Sequence, residues 1–178
     1  MHCWKSYHVD KRYQFYRLFI ISSLITLLVF ITLYVPMQTV ASEQLKDNYF
    51  IVFLCMFILL YPVHKLFHVL PIVNHYQDFK LEIDFYFYIL PIIDIKVQNP
   101  ISKKKFAASL IFPFLAINTI LLSAIFIFPA YVHYATILLA YHIGICAVDL
   151  MYIKSLFSSP KDALIEENEN GYEILIKE

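Results

Sequence analysis

Tyr61-Pro62-Val63-His64-Lys65-Leu66-Phe67-His68-Val69-Leu70-Pro71 closes a long apolar run and precedes a polar region. Residues four apart on a helix lie on one face, one turn apart. His64 and His68 therefore form a pair able to grip one metal ion. Pro62 removes a backbone N–H and predicts a kink just before His64, and Pro71 predicts the end of the helix.

Outward from this stretch the chain is apolar in blocks. It has 178 residues, 60% hydrophobic and only 16% charged. Soluble domains carry about 25% charge, so the excess apolar surface is best placed against lipid. The length fits one domain. The formal net charge of zero gives no indication of a nucleic-acid partner. Two glycines are too few for a Gly-rich phosphate loop. Cys3, Cys55 and Cys146 are far apart, so neither a disulfide framework nor a C-x-x-C site can be read.

Residues 1–17 carry Lys5, Lys11, Arg12 and Arg17 interleaved with Trp4, Tyr7, Tyr13, Phe15 and Tyr16. Cations and aromatic rings together suit the headgroup level, so this stretch reads as a basic interfacial segment. Leu18 to Ser42 holds no charge, and its apolar part is long enough to span about 30 Å of hydrocarbon. It is longer than a signal-peptide core, so an uncleaved anchor is expected despite Val40-Ala41-Ser42. Tyr49 to Val73 is a second apolar run. Phe106 to Val148 lacks Asp, Glu, Lys and Arg and suits two spans joined at Phe128-Pro129-Ala130-Tyr131. The expected transmembrane helices are 18–36, 49–70, 106–128 and 131–153.

The polar remainder reads as β structure. Leu81 to Ile89 alternates with a period of two, and Ile92 to Val97 follows Pro91 as a second strand. In the tail, 154–178, Asn168-Glu169-Asn170-Gly171 separates two apolar-bearing runs, the strongest short hairpin signal. This hairpin is expected to pair with strands of the 74–105 loop. The fold class is thus all-α membrane protein with small β-hairpins. Lys and Arg concentrate before the first span, in the middle loop and in the tail, so both termini and the middle loop are expected in the cytoplasm.

That topology aligns depths. Counting 1.5 Å per residue, His64 lies about 22 Å along the second span and Asp149 about 27 Å along the fourth, which runs the same way. His64, His68 and Asp149 then sit at similar depth and form a candidate three-ligand zinc site with an open fourth position. His142, Cys146 and Asp149, spaced four then three, make one stripe, with His142 and Cys146 as candidates to support the ligands from behind. His133 and Cys55 read as packing or interface residues.

The H-E-x-x-H motif places a Glu between its histidines as general base. Here that position is Lys65. A lysine cannot take a proton from the attacking water as that Glu does. Either Lys65 turns toward the headgroups and a metal remains, or the site is empty and Lys65 pairs with Asp149. Glu82, Asp84 and Glu166 are the nearby carboxylates that could substitute.

The chain resembles a bacterial family of membrane zincin peptidases, small multi-span proteins distantly similar to site-2 proteases. The resemblance covers most of the chain. It rests on the His-x-x-x-His span, the strand-bearing loop, Ile101-Ser102-Lys103-Lys104-Lys105-Phe106, His142 to Asp149, Ser159-Pro160-Lys161-Asp162-Ala163 and Asn170-Gly171-Tyr172-Glu173-Ile174. It implies that His64, His68 and Asp149 hold zinc. With Lys65 at the base position, it points to a pseudoenzyme that binds a metal, membrane peptide or protein. The alternatives are an active zinc peptidase with a substitute base, and a structural or transport accessory protein without metal.

Overall fold

The computed structural model describes residues 2–8, 11–40, 44–73, 79–86, 90–97, 99–168 and 171–176. Four helices carry the fold: α1 (Lys11–Val40), α2 (Phe50–Val69), α3 (Lys103–Ile127) and α4 (Val132–Phe157). With the 3-10 turns that adjoin α2 and α4, they make four helical stretches long and apolar enough to cross a membrane: Tyr16–Thr39, Phe50–Val73, Lys103–Ile127 and Pro129–Phe157. Pro62 and Pro113 lie inside α2 and α3, and α2 passes into a 3-10 turn at 70–73.

Burial is uneven among these helices. Tyr16–Thr39 of α1 has no buried residue, whereas 44% of the most apolar stretch of α4 is buried. Leu24, Leu28, Ile31 and Val35 of α1 are each at least 60% exposed. Water would make such a surface adhesive; lipid tails make it neutral. α4 is central, and α1, α2 and α3 all contact it. A cluster of Leu60, Ile117, Leu121, Ile125, Val132, Leu138 and Leu139 fills the bundle.

Small strands close one end. β1 (His2–His8), β4 (Ile101–Ser102), β5 (Leu164–Asn168) and β6 (Gly171–Ile176) form one antiparallel sheet in the order β1-β6-β5-β4. β2 (Phe79–Tyr86) and β3 (Leu90–Val97) form a separate antiparallel hairpin. The expected tail hairpin is present, with its loop 169–170 outside the described residues, as is 87–89 of the middle hairpin. It pairs not with the expected strands of the middle loop, β2 and β3, which form their own hairpin, but with β4 at the entry to α3. The interfacial reading of residues 1–17 did not foresee β1, which pairs antiparallel with β6 through a bulge between Cys3 and Lys5.

Ile72, Ile101, Phe106, Leu110, Leu156, Ile165, Tyr172 and Ile174 make a second core where this sheet meets the helix ends. Lys103 fastens the junction, its Nζ donating to the Ser159 carbonyl at 2.7 Å and its backbone N–H to Ala163 at 3.1 Å. Because β1 precedes α1, β4 precedes α3 and β5 follows α4, the chain leaves the sheet end in α1 and α3 and returns to it in α2 and α4. At the far end the Lys46 N–H bonds the Ala130 carbonyl at 3.0 Å.

Candidate metal centre

The last two turns of α2 and the adjoining face of α4 meet near the sheet end. His64 Nε2 is 3.1 Å from His68 Nε2 and 3.1 Å from Asp149 Oδ2. His68 Nε2 is 3.5 Å from Asp149 Oδ1. His64 is 1% exposed, while His68 and Asp149 are half-buried, so the three meet at the edge of the interior. Asp149 Oδ2 is buried and, among the described residues, has no hydrogen-bond donor.

The other ring nitrogens decide what faces inward. His68 Nδ1 lies 2.9 Å from the Ser109 carbonyl oxygen. A carbonyl only accepts, so Nδ1 donates and the neutral ring keeps a lone pair on Nε2. Ser109 returns the contact, its Oγ donating to the His68 carbonyl at 2.5 Å, which ties α2 to α3. Behind His64 runs a buried relay. His142 Nδ1 donates to Asn118 Oδ1 at 2.7 Å, which leaves His142 Nε2 to accept from His64 Nδ1 at 3.1 Å. His64 then also carries its lone pair on Nε2. A ring N–H held by a carbonyl or amide oxygen is the usual way a metal-binding histidine is oriented.

Two lone pairs and a carboxylate therefore confront one another at 3.1–3.5 Å. Such a triangle repels itself unless a proton or a metal cation sits among its corners. Zinc with bonds of about 2.0–2.1 Å in a tetrahedron separates its ligand atoms by about 3.3 Å. The two Nε2 atoms and the carboxylate, with Oδ2 toward His64 and Oδ1 toward His68, stand close to that spacing. His64, His68 and Asp149 make one of two groups in the described residues that could hold a metal; His64, His142 and Cys146 make the other.

A family model described as "Putative zincin peptidase" matches residues 57–164, more than half of the chain. The chain belongs to that family. No curated protein and no solved structure matches it. A zincin peptidase family implies zinc, and the matched segment contains His64, His68, Lys65, Asn118, His142, Cys146 and Asp149.

In this zincin-family chain Lys65 is half-buried on α2, about 100° around the helix from His64. Glu166 is half-buried on β5 and faces Glu173 in register. Glu82 and Asp84 belong to β2, and their side chains lie outside the described residues. His133 is at the far end, 3.0 Å from Asp47, and Cys55 is exposed on the outer face of α2. Sequence reasoning missed Asn118 and the Ser109 carbonyl. A lone Asn in the uncharged Phe106–Val148 run was the available signal for the first, since a polar side chain there needs a partner. A carbonyl leaves no signal in sequence.

Proposed function

We propose that this chain is a multi-pass membrane protein that holds zinc with His64, His68 and Asp149 and works by binding rather than by peptide hydrolysis. The observation that carries the reading is the inward-facing triangle of two imidazole lone pairs and a buried carboxylate. Zinc would supply Lewis acidity there, polarising a carbonyl oxygen. The residues do the rest. Ser109 and the Asn118–His142 relay fix both ring orientations, and Asp149 supplies the negative charge that balances a cation.

Hydrolysis also needs a base within hydrogen-bond reach of water. The motif position for that base is Lys65, which is cationic. An apolar hollow lined by Leu70, Pro71, Ala108, Ile111, Phe112 and Leu115 opens on the α2–α3 seam, one residue from Ser109. It suits an apolar membrane peptide beside the metal.

Both termini and the middle loop belong in the cytoplasm by charge. The shared sheet supports the grouping, because an open sheet edge has no place in hydrocarbon and its strands must share one side. The test of binding against cleavage is hydrolysis of a membrane-tethered peptide by zinc-loaded protein. No cleavage above the His68→Ala level is expected. Cleavage that disappears in His68→Ala would show an active peptidase with a substitute base.

A further inference from the structure

His64 offers a second nitrogen, and around it the structure gathers a separate set of donors. His64 Nδ1 is 3.1 Å from His142 Nε2 and 3.8 Å from Cys146 Sγ, and Cys146 Sγ is 3.6 Å from His142 Nε2. The three residues are buried, His142 and Cys146 completely. Cys146 lies about one turn along α4 from Asp149, on the side away from the sheet. We propose that His64 Nδ1, His142 Nε2 and Cys146 Sγ form a second ion site, for a soft monovalent cation of the copper(I) class.

The chemistry of the donors sets the class. Two imidazoles and one thiolate are a soft set, of the kind that selects copper(I) or zinc over hard cations. Charge then separates those two. A thiolate and a monovalent ion sum to zero, which suits a site without water, whereas a divalent ion leaves a net charge buried there. The three donor atoms lie 3.1–3.8 Å apart, and Cys146 Sγ stands 3.6 Å from His142 Nε2 and 3.7 Å from its Nδ1, so one ion joins all three once the Cys146 side chain turns toward Nε2. Asn118 holds the His142 ring so that Nε2 faces the site.

Protons balance as follows. The ion displaces the thiol proton of Cys146 to solvent. It also takes the place of the proton between His64 and His142, which moves to His64 Nε2, where Asp149 Oδ2 at 3.1 Å accepts it. The site therefore loads without zinc at the first one, and its failure is separable from failure of the zinc reading.

The test uses silver(I), a redox-stable stand-in for copper(I), on metal-free protein in detergent. Exposed Cys3 and Cys55 are first replaced by Ser so that they do not bind the probe. One silver ion per chain is expected, with thiolate-to-metal absorption appearing in the near ultraviolet as it loads. Cys146→Ser and His142→Ala, each eluting as the parent does on gel filtration, should weaken silver binding at least tenfold. His68→Ala should not. No thiolate absorption in the parent, silver retained in Cys146→Ser, or equal loss in His68→Ala would each overturn the proposal.

Discussion

His64 uses both faces of its ring, one toward His68 and Asp149 and the other toward His142. That makes its orientation dependent on Asn118, two hydrogen bonds away. Asn118→Ala frees the His142 ring and should weaken zinc by roughly tenfold, the scale typical of lost supporting hydrogen bonds; titration against a competing chelator measures it. Lys65 acts through charge. At about 5 Å and an effective dielectric near 20, an ammonium repels a divalent ion by roughly 6–7 kcal/mol. A lysine that reaches toward the headgroups feels much less. Lys65→Glu turns the repulsion into attraction, so zinc affinity should rise, and it restores a carboxylate where general-base catalysis needs one. Chelator titration and cleavage of a tethered reporter, in Lys65→Glu with and without His68→Ala, check both effects. Affinity unchanged by Lys65→Glu would place the ion elsewhere.

Among the elements, α4 sets the spacing of the bundle because it touches the other three helices. Gly144 is what lets α1 come close: a Cβ there would collide with Thr26 Oγ1 and stand 2.8 Å from the Ser22 carbonyl oxygen. The first neighbour is a side chain and could turn away; the second is backbone and cannot. Gly144→Ala should therefore cost about 1–3 kcal/mol, read as a lower unfolding temperature in detergent, and Thr26→Ala should not restore it fully. The helix register has its own check. In a background without native cysteines, single cysteines at 64 and 149 should be joined by a short crosslinker, while a pair at 55 and 149 should not. Much at this scale was legible. Three long apolar runs, the last long enough for two spans, announce four helices, period-two alternation announces the middle hairpin, Asn170-Gly171 announces the tail hairpin, and the four-residue spacing puts His64 and His68 on one face. Two features were not. β1 reads locally as an interfacial segment because its partner, β6, lies at the other end of the chain. The stripe of His142, Cys146 and Asp149 was legible, but depth counting says nothing about the rotation of α3, which turns Asn118 toward His142.

Over the whole molecule, the sheet at one end and the Asp47–His133 and Lys46–Ala130 contacts at the other separate two poles along the helix axes. The candidate centre sits near the sheet pole, in the part of the bundle where Ser109, Asn118 and Asp149 bring polar groups between apolar walls. Reporter fusions after residues 44, 90 and 178 should read outside, inside and inside, following the Lys and Arg distribution. An outside reading after residue 90 would break the agreement between charge and sheet. The account as a whole depends on the triangle of His64, His68 and Asp149 holding a divalent ion rather than a proton. Metal analysis of protein purified in detergent, with the exposed Cys3 and Cys55 replaced by Ser and zinc supplied in growth, measures that directly. One zinc per chain in this parent, falling to a tenth or less in His64→Ala, His68→Ala and Asp149→Asn at unchanged gel-filtration behaviour, is the predicted result. Absence of zinc from the parent, or its persistence in all three variants, would contradict the account.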